Sequence, residues 1–98
     1  MEESFGAWLR RRRQEENLTL RELAEKLGVT HPYLSQVENG VATPGEELAR
    51  KAARLFGASE EEVVFAAREV AKLIRDLKET YPHEAPKYFR RVLREGKD

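Results

Sequence analysis

The sequence predicts an all-α protein, and three observations lead there. Helix-start signals recur along the chain, most of them a hydroxyl residue followed three positions later by Glu. Apolar residues return at spacings of three and four, and no stretch alternates with a period of two. Gly and Pro number only 6 and 4 in 98 residues, which leaves little room for a turn-rich β architecture. A chain of this length holds one domain with a modest core and at most a short appendage.

Ser4 caps a first helix reaching about Glu16, with Phe5, Leu9 and Arg13 on one face, and Asn17 closes it. Thr19 and Glu22 form a capping box for the second helix, and Leu18 with Leu23 forms the hydrophobic staple. That helix carries Leu20, Leu23, Ala24 and Leu27 and stops at Gly28. Val29 alone separates Gly28 from the next cap, Thr30. The third helix tolerates Pro32 in its first turn and runs to about Asn39 before Gly40. Two short capped helices joined by so tight a turn must cross steeply, which is the helix-turn-helix arrangement. Thr43-Pro44-Gly45-Glu46 reads as a capping box with Pro at the first helical position, opening a fourth helix that ends at Gly57. Ser59 and Glu62 read as a further capping box for a longer helix bearing Val63, Ala67, Val70, Ile74 and Leu77. The break Tyr81-Pro82-His83-Glu84-Ala85-Pro86 precedes a last short helix with Tyr88, Phe89, Val92 and Leu93.

Composition narrows the function classes. No stretch approaches the roughly 18 consecutive apolar residues of a membrane span. The start, MEESFG, has neither the basic beginning nor the apolar run of a signal peptide, so a cytoplasmic location is expected. The absence of cysteine excludes a disulfide scaffold and a cysteine-based zinc site. With two separated histidines, His31 and His83, and no phosphate-binding GxxxxGK[ST] loop, no metal, cofactor or enzymatic activity is expected. Lys plus Arg and Asp plus Glu both total 18, so any polyanion would have to be met by one local face. Arg10, Arg11, Arg12 and Arg13 are the densest basic run.

On the third helix, Leu34, Val37 and Glu38 share one side, and the apolar pair must face the core. The opposite side presents Pro32, Gln36 and Asn39, flanked by Tyr33 and Ser35, with His31 at the tip. Gln36 has the geometry to bond adenine bidentately in a major groove, and Ser35 or His31 suits several bases. No Arg or Lys lies on this helix, so bidentate guanine reading is not offered. Glu38 lies one turn from Leu34, and Arg13 one turn from Leu9. Two inward-leaning opposite charges point to a partly buried ion pair, unless both reach out to solvent.

From about Phe5 to Val63 the chain resembles the helix-turn-helix domain of the Cro and phage-repressor type, the xenobiotic-response-element (XRE) family. Leu23-Ala24, Gly28-Val29, Tyr33-Leu34-Ser35, Val37-Glu38 and Gly40 carry the resemblance, and Pro44 and Gly57 bracket the fourth helix as in that family. The resemblance implies a five-helix lambda-repressor-like DNA-binding domain over residues 1–63, with residues 64–98 as a short helical C-terminal extension. It implies a sequence-specific regulator of transcription, a dimeric repressor reading a palindromic operator in double-stranded DNA. By the same resemblance Arg13 and Glu38 are a structural ion pair, and His31, Pro32, Tyr33, Ser35 and Gln36 read bases. Phosphate contacts fall to Thr19, Arg21, Asn39 and Val41, with Arg10 and Arg12 as either a DNA edge or a solvated face. Two features depart from the family: Leu20 stands where glutamine is common, and the loop Val41-Ala42-Thr43 where many relatives are basic.

Beyond residue 63 the resemblance fades. The apolar positions Val70, Ile74, Leu77, Tyr88, Phe89 and Val92 read as a homodimer interface, the alternative being a last helix folded back on its own subunit. Neutral net charge, Leu20 and the non-basic loop keep a second function in view, an antirepressor or antitoxin subunit of the same fold that binds protein. An antirepressor or protease partner for the tail is an open expectation.

Overall fold

The computed structural model describes residues 2–95. Over these residues the chain forms six helices: α1 (Phe5–Glu15), α2 (Leu20–Leu27), α3 (His31–Glu38), α4 (Glu46–Phe56), α5 (Glu60–Thr80) and α6 (Glu84–Glu95). No strand occurs among the described residues, and the all-α class with a helical extension holds.

Local chemistry sets most of the boundaries. The Ser4, Thr19, Thr30 and Ser59 hydroxyls accept from the amides of Ala7, Glu22, Tyr33 and Glu62, satisfying donors that a helix start leaves without partners. At Thr19 the box is complete, because Glu22 Oε1 accepts from the Thr19 amide at 2.8 Å. That bond holds the Glu22 carboxyl below its ordinary pKa. Helices α1 to α4 all end on a left-handed residue, Asn17, Gly28, Gly40 or Gly57, whose successor bonds back five residues, as in Val29 to the Ala24 carbonyl at 3.0 Å.

The start of α4 departs from the sequence expectation. Thr43 does not cap it; Gly45 occupies the cap with no side-chain hydrogen bond, and the helix begins at Glu46. Tertiary contacts outweigh the local motif here. Pro44 is buried, and the Thr43 carbonyl is held by the Tyr33 hydroxyl at 2.7 Å, which leaves both residues outside the helix.

Helices α1 to α4 and the first half of α5 enclose one core, centred on Phe5, Leu9, Leu23, Leu34, Val37 and Val63. Trp8 meets the Phe56 ring edge-on at 5.8 Å, joining α1 to α4. Val64, Ala66 and Ala67 belong to this core too, so the expected boundary at residue 63 falls within one unbroken helix.

The tail uses its apolar residues within the chain first. Ile74, Ala85 and Phe89 are buried together, with Val41, Val70 and Leu77 packed against them. Ile74 and Phe89 therefore lie inside the subunit rather than on its surface, because α6 folds back along the end of α5. Only three residues are buried in this second cluster, each large one contributing about 1.5–3 kcal/mol. It is the weaker of the two cores and the region expected to open first.

Gly6 marks a close approach of α1 to the end of α3. A Cβ at this position would stand 2.5 Å from the Val37 carbonyl oxygen and 2.7 Å from that of Glu38. Within a helix, Gly to Ala ordinarily stabilises by about 0.4–1 kcal/mol. Gly6→Ala is expected to do the reverse, costing about 1–3 kcal/mol because backbone must move to admit the methyl. Urea denaturation checks this, and a more stable Gly6→Ala protein would show that α1 and α3 are not so closely apposed.

Candidate functional site

The steep α2–α3 pair is built from the caps and staples above, and its packing decides which side chains face out. Leu23, Ala24 and Leu27 of α2 and Leu34 and Val37 of α3 are buried. Leu20 joins the same core, which accounts for an apolar residue at that position. What α3 leaves exposed is His31, Pro32 and Gln36, with Tyr33, Ser35 and Asn39 half-buried. Thr19 and Arg21 are exposed at the start of α2, and half-buried Val41 follows Gly40 in the loop after α3.

These residues do not all have uncommitted polar groups. The Tyr33 hydroxyl donates to the Thr43 carbonyl, bracing the loop after α3. Asn39 is engaged at both ends of its amide: Nδ2 donates to the Ser35 carbonyl at 3.0 Å, and Oδ1 accepts from Arg10 Nη2 at 2.9 Å. The Gln36 side chain has no hydrogen-bond partner among the described residues, and neither do the side chains of Ser35 and His31. Gln36 thus presents a donor and an acceptor side by side on an exposed helical surface.

Behind this surface lies a buried charge cluster. The Glu38 side chain is 0% exposed. Arg13 grips it with two bonds, Nε to Oε2 at 2.8 Å and Nη2 to Oε1 at 3.0 Å, and donates a third to the Leu18 carbonyl. Arg10 Nε adds a contact to Glu38 Oε1 at 3.3 Å. The carboxylate so enclosed avoids the penalty of a lone buried charge, and the planar fork of Arg13 fixes its direction. Among the described residues no buried side-chain nitrogen or oxygen lacks a partner.

The basic run on α1 is turned toward the protein's own acceptors. Arg10 is held by Glu38 and Asn39. Arg11 spans Glu3 and Glu15, and its guanidinium pKa is raised, chiefly by the hydrogen bond to Glu3. Arg12 bonds Glu15 at 2.8 Å and the Phe56 carbonyl at 3.0 Å, and its guanidinium lies 5.3 Å above the Phe56 ring. Glu15 in turn titrates below its ordinary range, first because of Arg11 and then Arg12. The Glu15 pairs are local, but the sequence does not reveal the engagements with Glu38, Asn39 and Phe56, which lie far along the chain.

No group of three or more His, Cys, Asp or Glu fit to hold a metal occurs among the described residues. Among the described residues no helix is long and apolar enough to cross a membrane.

Known proteins share this arrangement. A family model described as helix-turn-helix matches residues 9–63. Proteins named uncharacterized HTH-type transcriptional regulator, from two strains of Mycobacterium tuberculosis, are each 38% identical over 56 residues, 57% of this chain and 40% of theirs. The chain thus spans well under two thirds of these relatives' length. The crystal structure of the clp gene regulator ClgR from Corynebacterium glutamicum aligns at a TM-score of 0.55 with 35% identity, covering 81% of this chain and 92% of that one.

Removing Arg13 leaves Glu38 buried with only the longer Arg10 contact. Arg13→Ala is expected to cost about 3 kcal/mol, the low end for breaking a buried pair. That corresponds to a melting temperature lower by roughly 12 °C or more in a domain of this size. An unchanged melting temperature would contradict the buried geometry.

Proposed function

The chain belongs to the XRE-type helix-turn-helix family of DNA-binding transcriptional regulators, and from that membership we propose that it is a dimeric repressor reading a palindromic operator with α3. The observation that carries the reading is the outer side of α3: exposed His31, Pro32 and Gln36, with half-buried Tyr33 and Ser35, on a helix whose inner side is locked by Glu38. Gln36 pairs with adenine N6 and N7, while His31 and Ser35 bond other base edges and Pro32 and Tyr33 add apolar contact. Thr19, Arg21, Asn39 and Val41 lie where the flanking phosphates run. Arg10 and Arg12 serve mainly to set α3 and α4 in place.

Residues 1–63 form the DNA-reading unit, and the helical remainder brings two copies together. Supporting dimerisation is the apolar surface left on the tail after it folds back: Leu73, Tyr81 and Tyr88 are 58%, 52% and 48% exposed. Two subunits related by a two-fold axis present two copies of α3 to two half-sites. The role is that of a cytoplasmic regulator and not of an enzyme. A second reading, a protein-binding module, is favoured by one feature: Phe65 is 62% exposed beside Glu61, Glu62 and Glu69.

Selection from a random duplex pool separates these readings. The chain should enrich a motif repeated with two-fold symmetry. Gln36→Ala should lose on the order of 1–3 kcal/mol at that motif and relax preference at one base pair per half-site. An equal loss on every sequence would mean Gln36 reads no base, and failure to enrich any motif would favour the protein-binding module.

A further inference from the structure

The neutral net charge conceals a division along the chain. Through residue 70 there are ten Lys and Arg against thirteen Asp and Glu, a net of −3, and from residue 71 onward eight against five, a net of +3. The helix-turn-helix itself is therefore the acidic part. Its densest cations, Arg10 to Arg13, are held by the protein's own carboxylates and carbonyls. The question left open by α3, which carries no Lys or Arg, is where the grip on a polyanion comes from.

Helix α6 answers it. Lys87, Arg90, Arg91 and Arg94 follow one another at spacings that place them on a single side, opposite Ala85 and Phe89. All four are exposed, and none forms an ion pair among the described residues. Arg91 lies 5.7 Å above the Tyr88 ring, a contact that orients the guanidinium without using its N–H donors. The inner side of α6 packs, through Ala85 and Phe89, in the cluster that contains Val41, the residue following Gly40 at the end of α3. Helix α6 is thereby anchored in the cluster that Val41 joins, with the basic stripe on its exposed side.

We propose that α6 is a second DNA-contacting element, whose Lys87, Arg90, Arg91 and Arg94 grip the phosphate backbone alongside the groove entered by α3. This inference rests on the DNA reading above and assigns the tail a role besides pairing subunits. It makes the fold-back functional: the cluster of Ile74, Ala85 and Phe89, which Val41 joins, ties a positive surface to a domain whose α3 has none. Contacts of this kind position the protein and add affinity without carrying sequence information.

The test is a salt titration of the full chain on a mixed-sequence duplex, read by fluorescence anisotropy. Each phosphate neutralised contributes about 0.9 to the slope of log K against log salt. Replacing the four side chains together (Lys87→Gln, Arg90→Gln, Arg91→Gln, Arg94→Gln) should make that slope shallower by about 2–4 for each subunit bound, whatever the sequence. A variant retaining the charge (Arg90→Lys, Arg91→Lys, Arg94→Lys) should keep most of the slope. Circular dichroism and sedimentation would establish that both variants stay helical and keep their oligomeric state. An unchanged slope in the glutamine variant overturns the proposal, and one accompanied by a changed oligomeric state assigns the stripe to subunit contact. A slope lost equally by the lysine variant also overturns it, since charge would not be the cause. If the unaltered chain shows no salt-dependent binding, the DNA reading itself falls, an outcome the variants are not needed to recognise.

Discussion

The Glu38 carboxylate is the fixed point of this protein. It is buried on α3 and gripped by Arg13 of α1, with Arg10 in support. Burying a carboxylate carries a desolvation cost of several kcal/mol, which bonds of this geometry largely offset. Stability is therefore not the main gain. The bidentate fork admits one orientation of α3 relative to α1, and Gly6, in contact with the Val37 and Glu38 carbonyls, admits one distance. Once Leu34, Val37 and Glu38 are committed inward, helical geometry leaves Pro32 and Gln36 facing out. The outer surface of α3 is a consequence of the buried one.

That economy has an electrostatic corollary. Cations spent on positioning are not available for a partner, and α1 spends all four of its arginines on neighbouring carboxylates and carbonyls. A helix-turn-helix with a net negative charge and no cation on α3 has to draw its affinity from elsewhere, and the proposed source is the tail. The proposal also separates two tasks. Hydrogen-bonding groups on α3 discriminate among bases, while the exposed cations of α6 supply affinity that is indifferent to sequence and sensitive to salt. The weak second core, with Phe89 and Ile74 at its centre, is then the joint between them.

Much of the fold was legible because its signals are local. The Thr19 box, the glycines at 28, 40 and 57, and the spacing of Leu9 to Arg13 each involve residues within one or two turns of each other. The inward lean of Arg13 and Glu38 was readable for the same reason: each lies one turn from a core leucine. What the sequence concealed depends on partners far along the chain. Thr43 has the local marks of a cap, yet its carbonyl is claimed by Tyr33, ten residues earlier, and Pro44 by the core. Arg10 and Arg12 look like free surface cations until α3 and α4 are placed beside them. The tail's apolar stripe was ambiguous in principle. The same residues serve a subunit interface or a fold-back, and only the burial of Ile74, Ala85 and Phe89 in one cluster shows how they are used within the chain. Gly6 gave no sign at all, since the contact that requires a missing Cβ lies more than thirty residues away.

The account stands or falls on α3 meeting a duplex while its anchor stays intact. The most direct measurement is a nuclear magnetic resonance titration of the isotopically labelled chain with a short mixed-sequence duplex at low ionic strength. The account predicts shift changes concentrated at residues 30–37, at the start of α2 and along the outer side of α6, with the Arg13 Nε resonance unmoved. Changes confined to the surface around Phe65, or a displaced Arg13 resonance with α3 silent, would contradict it.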